Sequence, residues 1–222
     1  MKKATWLGIL FTVSFLVTTP VVHAATIARW TFESTVPSSA GPHSPEEGTG
    51  TATGVHADAT TTYSNPNGNG SPESWNANRW AVGDYYQFQI STLGKSDIIF
   101  SWDQTRSSAG PGAANMTSPN FRLQYSTDGA TFTNVVDYLV PIVTWDSAVT
   151  NGATQFSQNL SSITALNNQA AVYFRLTDIL APQNTGGQSR VDNILVTGVP
   201  EPGSLLLSLL AAAIVATHAR RN

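Results

Sequence analysis

Apolar side chains recur at every second position in several short runs of this chain. Ala28, Trp30 and Phe32 alternate with Arg29, Thr31 and Glu33. Tyr86, Phe88 and Ile90 alternate with Tyr85, Gln87 and Gln89, and Ile98, Phe100 and Trp102 repeat the pattern after a turn at Gly94-Lys95. Phe121, Leu123 and Tyr125, then Val172, Phe174 and Leu176, then Val191 to Thr197 carry it onward. A period of two sets one face of a strand against a core and the other in water. Thr154 to Asn159 reads as a further strand, and Ser162 to Asn168 as a single helical turn. Ser126-Thr127-Asp128-Gly129 before Thr131-Phe132-Thr133 predicts a hairpin, because glycine takes positive φ without a Cβ clash.

Between these runs the period fails. Ser34 to Asn78 is punctuated by Pro37, Pro42, Pro45, Pro66 and Pro72 and reads as a long loop with one short strand near Ala57 to Tyr63. Ser107 to Ser118 is a second Gly/Pro loop, and Pro141 interrupts the apolar stretch from Val135 to Val143. No segment keeps a helical period over ten residues. Eight or nine short strands with turn signals between them predict an all-β fold, an antiparallel jelly-roll-like β-sandwich.

Two apolar runs stand apart from this pattern. Lys2 and Lys3 precede Ala4 to Val17, Pro20 breaks the run, and Val22-His23-Ala24 places small residues at a cleavage site. Residues 1–24 therefore read as a secretory signal peptide. At the other end Val199-Pro200-Glu201-Pro202 precedes an uncharged run from Gly203 to Ala219 and then Arg220-Arg221-Asn222. Prolines fix φ and withhold donors, so an exposed, extended break is expected after the last strand. The seventeen-residue run is at the short end of a membrane span, with the arginine pair on the cytoplasmic side. Residues 25–198 remain as one β-sandwich domain, and residues 199–222 as a tail.

The tail resembles the PEP-CTERM sorting signal of Gram-negative bacteria, through Val199, Pro200, Glu201, Pro202, the apolar helix and the terminal Arg220 and Arg221. The same tail is also labelled an ice-binding protein C-terminal domain, a label that describes the tail alone. The resemblance implies export through the Sec pathway, transient retention in the inner membrane and processing by an exosortase-type transpeptidase. It further implies residence at the cell surface or in the extracellular matrix, beside exopolysaccharide and biofilm. A plain C-terminal membrane anchor is the other reading of the same residues.

Composition narrows the partners. The chain has no cysteine, and a domain of this size can fold without disulfides. The body keeps 7 basic and 13 acidic residues, a formal charge of −6, with Lys95 its single lysine. Nothing basic tracks a phosphate backbone, so nucleic acid is not an expected partner.

A second resemblance lies in the body. Trp30-Thr31-Phe32-Glu33, Arg106-Ser107-Ser108 with Gly110-Pro111, Tyr125-Ser126-Thr127-Asp128-Gly129 and Arg190-Val191-Asp192-Asn193-Ile194 are similar to pieces of jelly-roll domains of the carbohydrate-binding-module kind. In such domains a structural calcium often ties the first strand to the last, which implies Glu33, Asp192 and Asn193 as ligands. Pairing of Glu33 or Asp192 with Arg106, Arg175 or Arg190 is the competing reading. Asn65-Pro66-Asn67-Gly68-Asn69-Gly70 has the spacing of a calcium loop but none of its carboxylates.

Sugars dock on exposed aromatic faces, and Trp75 and Trp145, with Tyr63 and Tyr138, fall in stretches read as loops. Trp30, Trp80 and Trp102 read as core. Catalytic signatures are sparse. The body has His43 and His56, both in the long loop, with no H-E-x-x-H, no G-x-S-x-G and no cysteine nucleophile. The expectation is an exported, non-catalytic, surface- or matrix-associated sandwich that is adhesive or contacts glycan. A secreted carbohydrate-active enzyme and a purely structural envelope protein are its alternatives.

Overall fold

The computed structural model describes residues 23–34 and 37–201. Twelve strands form two antiparallel sheets. They are β1 (Ala25–Trp30), β2 (Glu47–Gly48), β3 (Gly50–Val55), β4 (Tyr63–Ser64), β5 (Trp75–Ala77), β6 (Tyr85–Ile90), β7 (Lys95–Arg106), β8 (Phe121–Ser126), β9 (Thr133–Tyr138), β10 (Gln155–Asn159), β11 (Val172–Asp178) and β12 (Ser189–Pro200). One sheet runs β10-β7-β12-β1-β2, with β5 on the flank of β12 and β4 beyond it; the other runs β3-β6-β11-β8-β9. The expected all-β antiparallel sandwich is what forms.

The alternating residues meet between the sheets. Trp30 sets its edge against Phe88 at 5.4 Å, and Phe100 packs on Phe174 at 4.7 Å, each pair spanning the two layers. Such aromatic contacts add about 0.5–1.5 kcal/mol to the area they bury. Trp80 and Trp102 are buried as expected. The hairpin between β8 and β9 also follows its signal. Gly129 sits at φ 73°, and Asp128 Oδ1 accepts from the backbone of Thr131 and Ala130 at 2.8 Å each. Those bonds, led by the one from Thr131, hold the Asp128 carboxyl well below its usual range.

Two expectations give way. The stretch read as a long loop contributes β2, β3, β4 and β5. In β3, Gly-Thr-Ala-Thr-Gly-Val offers almost no contrast between faces, and only Ala52 is buried, so the strand is fixed by pairing with β6 rather than by its own pattern. The single helical turn expected within Ser162 to Asn168 does form, as the 3-10 turn Thr164–Leu166. Val199 and Pro200 do not begin a break: they end β12, opposite Ser96 and Lys95, and the Glu201 amide donates to Gly94 O at 3.0 Å. Pro200 is tolerated because it lies in the terminal position of the strand. Pro202, the apolar run, Arg220 and Arg221, and residues 1–22, lie outside the described residues. Among the described residues no helix is long and apolar enough to cross a membrane.

Candidate functional site

β12 organises the polar end of the sandwich. Its first residues pair with β7 on one side and β5 on the other, so Thr105, Arg190 and Asn76 stand opposite one another across three strands. Ser64 extends the row through β4. Opposed residues share a face, with Cβ atoms about 5 Å apart. Arg106 is the next residue on β7 and comes from the core side of the same strand end. A cleft of about 340 Å³ opens here, lined by Asn76, Arg106, Ser107, Ser108, Gln188 and Arg190 together with the 142–144 segment.

The cleft is held from behind. Thr105 Oγ1 donates to Val143 O at 2.7 Å and accepts from Val143 N at 3.1 Å. Ser107 and Gln188 exchange bonds, Ser107 N to Gln188 O at 3.0 Å and Gln188 N to Ser107 Oγ at 2.9 Å. Arg106 is 4% exposed; its Nε donates to Val140 O at 2.9 Å, and Nη1 is buried with no partner. Asn76 is 3% exposed; its Nδ2 donates to Ser64 Oγ at 3.0 Å, and Oδ1 is buried with no partner. Arg190 donates through Nη1 to Asn67 O at 3.2 Å, and its guanidinium carbon lies 5.2 Å from the Trp145 ring centroid. Burial lowers the pKa of both arginines, and for Arg190 the Asp192 charge opposes it. Among the described residues, neither arginine has a carboxylate oxygen within 4.0 Å, and neither does Arg175, whose Nε donates to Gln87 Oε1.

Behind this row lies a carboxylate pair. Asp192 and Asp103 are opposed on β12 and β7, and both are buried. Asn69 clamps them: its N–H donates to Asp192 Oδ2 at 2.8 Å and its Nδ2 to Asp103 Oδ2 at 2.9 Å. Asn193, at φ 49°, adds Nδ2 to Asp103 Oδ2 at 2.9 Å and its own N–H to Asp192 Oδ1 at 2.7 Å. Ser71 Oγ donates to Asp192 Oδ2 at 2.9 Å. Desolvation pushes the Asp192 carboxyl up to about 7 and raises that of Asp103.

This arrangement bears on the calcium implied for Glu33, Asp192 and Asn193. A calcium ion needs six to eight oxygens. Here Asn193 and Asn69 present amide nitrogens to the carboxylates, Asp192 is served by N–H and O–H donors on both oxygens, and Glu33 Oε1 accepts instead from Glu73 N at 3.0 Å. As arranged, these residues form a hydrogen-bonded knot tying the 65–73 loop to β12.

The two candidate sugar-stacking tryptophans are not in exposed loops. Trp75 is 0% exposed in β5, its Nε1 donating to Ser39 O at 3.1 Å, with Tyr86 4.7 Å away. Trp145 is 3% exposed and donates to Thr154 Oγ1 at 2.9 Å. A ring so buried offers no stacking face. Trp145 reaches the cleft only by backing Arg190. Tyr138 is buried too, its hydroxyl donating to Gln104 Oε1 at 2.7 Å.

Sequence reasoning also missed a buried histidine. His56 Nδ1 lies 3.1 Å from Asp84 Oδ2 but off the axis of a hydrogen bond, and Nε2 is buried without a partner. Trp80 packs on the ring at 4.4 Å. Asp84 mainly braces turns, accepting from Ala57 N at 2.8 Å and Ala81 N at 2.7 Å.

No protein-family model matches this sequence, and no curated protein matches it. Among solved structures, the K2 cleaved adhesin domain of Lys-gingipain is 14% identical, covering 78% of this chain and 97% of its own, with a TM-score of 0.44. The K3 cleaved adhesin domain of Lys-gingipain from Porphyromonas gingivalis is 14% identical, covering 79% and 99%, with a TM-score of 0.43. A Stig cyclase from a Fischerella species is 13% identical, covering 80% and 99%, with a TM-score of 0.39. These likenesses are too loose to carry a function.

Proposed function

We propose that this chain is an exported, non-catalytic β-sandwich of the cell surface or extracellular matrix that binds glycan through the cleft at the end of β7 and β12. The observation that carries this is the cleft's lining. Arg190, Ser107, Ser108 and Gln188 bring guanidinium, hydroxyl and amide groups to it, and no carboxylate or histidine lines it. Such donors and acceptors are the partners that sugar hydroxyls take. Hydrolysis needs an acid, a base or a nucleophile with its base, and this lining supplies none.

Delivery follows from the PEP-CTERM resemblance: Sec export, transient inner-membrane retention, cutting by an exosortase-type enzyme and release beside exopolysaccharide. Val199 and Pro200 are paired in β12 and Glu201 bonds Gly94, so cutting before Pro200 would have to open that pairing. The test is to recover the exported protein, weigh it and offer it a polysaccharide panel. A mass ending near Pro200-Glu201-Pro202, retention on some polysaccharide and no sugar release are expected. An intact Leu205 to Asn222 peptide would remove the sorting reading. Turnover lost on changing one carboxylate would replace binding by carbohydrate-active catalysis, and no retention at all would leave a structural envelope protein.

A further inference from the structure

The outer face of the β3-β6-β11-β8-β9 sheet carries an arginine that the fold holds in place without neutralising it. The strand register sets Thr53, Gln87, Arg175, Gln124 and Asn134 opposite one another in a single row. Four steps of about 4.8 Å make the row about 19 Å long. Arg175 is at its centre. Its guanidinium carbon lies 3.9 Å from the Tyr85 ring centroid and 3.4 Å from that of Phe132, and its Nε donates to Gln87 Oε1 at 2.9 Å. Two rings and one hydrogen bond fix the plane of the group. Among the described residues Nη1 and Nη2 find no partner, and neither is an enclosed atom, so both open to solvent. The acids of β8, β9 and their turn are already served: Asp137 Oδ2 accepts from Arg122 Nη2 at 2.8 Å, and Asp128 Oδ1 from the amides of Ala130 and Thr131.

The amide oxygens of the row are engaged within it. Gln87 Oε1 takes Arg175, Gln124 Oε1 takes Thr177 Oγ1 at 2.8 Å, and Asn134 Oδ1 takes Gln124 Nε2 at 2.9 Å. What the row turns to solvent is donors: the Arg175 fork and the amide nitrogens of Gln87 and Asn134. N–H groups with no carboxylate among them suit an oxyanion, and a guanidinium held flat suits two oxygens of one group. The body's formal charge of −6 opposes a polyanion, but at physiological salt that opposition is screened beyond about 8 Å. A lone ion would use the fork and leave the rest of the row idle, whereas a chain can lie across it. A protein partner brings an apolar centre to its interface, and the row offers none. We infer that this row is a second binding site, which takes an oxyanion of an acidic polysaccharide, carboxylate or sulfate, at Arg175, with sugar hydroxyls at Gln87 and Asn134. It lies on the other sheet from the β7–β12 cleft and does not depend on it.

The test uses the full-length protein in detergent and four probes: dextran sulfate, polygalacturonate, neutral dextran and polyglutamate. At least one acidic polysaccharide should bind, dextran should not displace it, and the tighter of the two names the preferred group. Arg175→Gln should weaken that binding about tenfold or more, since charge-assisted hydrogen bonds are lost. Arg175 also braces Phe132, so Asn134→Asp is the second variant. Asn134 is exposed, an aspartate oxygen still accepts from Gln124, and the added carboxylate should weaken the same polymer by a similar factor. Circular dichroism should show Asn134→Asp folded, and Ser108→Asp in the cleft should leave acidic binding unchanged. If neither acidic polysaccharide binds, or if Ser108→Asp weakens the one that does and neither row variant matters, the second site is refuted and the cleft reading is untouched. If dextran displaces the acidic polymer, charge plays no part and the inference falls. If polyglutamate binds as tightly and responds to both row variants alike, the row is an unselective anion site and the polysaccharide assignment fails.

Discussion

Asp178→Asn is expected to stabilise the protein at pH 9 and to flatten its stability between pH 4 and 8. Asp178 ends β11 fully buried. Its Oδ1 accepts from Leu180 N at 2.9 Å, but Oδ2 is buried with no partner. Its own N–H donates to Asp84 O at 2.8 Å, which brings a second acid close. Desolvation first, and the Asp84 charge after it, push the Asp178 carboxyl from 3.8 up to about 8. The unfolded chain releases this proton near pH 4, while the folded chain keeps it to about pH 8. The group's contribution is therefore complete below pH 4 and is lost as pH rises through 8. At about 1.4 kcal/mol per unit, the loss across that window is at most roughly 6 kcal/mol. Asparagine has no proton to lose, so the variant should gain a few kcal/mol at pH 9 and little at pH 4. Asp192, raised to about 7, leaves a residual slope of the same sign in the variant. Asp128 works the other way at the acid end, where its lowered carboxyl loses stability as pH falls. Urea titrations at several pH values measure this, and parallel curves for wild type and variant would refute the assignment.

How much of this was written in the sequence depends on what each residue faces. Strands β1, β6, β7, β8, β11 and β12 were legible because one side meets the core and the other meets water, which forces alternation. β3 and β5 were not. In β3 the alternating residues are Thr, Gly and Ala, too alike for two faces to differ. In β5 all three residues are buried, so no polar face exists to mark it, and Trp75 reads as part of a loop. The tryptophan error has one cause. Polar, proline-rich neighbours suggest exposure, but Trp75 faces the core, 4.7 Å from Tyr86 of the other sheet and 5.8 Å from Phe32, and Trp145 is closed in by Arg190 and Thr154. The cleft was legible only in pieces. Arg106 and Arg190 each stood out within a short motif, yet only the β7–β12 register brings them to one place. Unpaired atoms such as Asn76 Oδ1 leave no trace in a sequence, since they depend on what the neighbouring strand lacks.

Gly68→Ala should be among the most damaging single changes outside the core. A Cβ on Gly68 would lie 2.1 Å from Glu73 O, 2.1 Å from Ser71 Oγ and 2.3 Å from Asp192 Oδ2. The Ser71 hydroxyl can turn away. The Glu73 carbonyl is backbone, with its residue's N–H held by Glu33, and Asp192 is buried and bonded on both oxygens. The loop must therefore lift, and Asn69 goes with it. That strips donors from two buried carboxylates at once. Overpacking costs about 1–3 kcal/mol, and leaving buried acceptors unserved costs a similar amount. A loss of about 2–5 kcal/mol is expected in urea denaturation, and binding at the cleft should weaken too, because Asn67 O on the same loop holds Arg190. The same experiment run in EDTA separates hydrogen bonding from metal. The hydrogen-bonded knot predicts an unchanged wild-type midpoint and an undiminished effect of the substitution. A bound calcium at about a hundred times its dissociation constant would add roughly 2.7 kcal/mol to the wild type. An EDTA-induced fall of that size, with the difference between wild type and Gly68→Ala shrinking to match, would restore calcium to Glu33, Asp192 and Asn193. A variant within about 0.5 kcal/mol of wild type would instead show that the loop does not hold the knot.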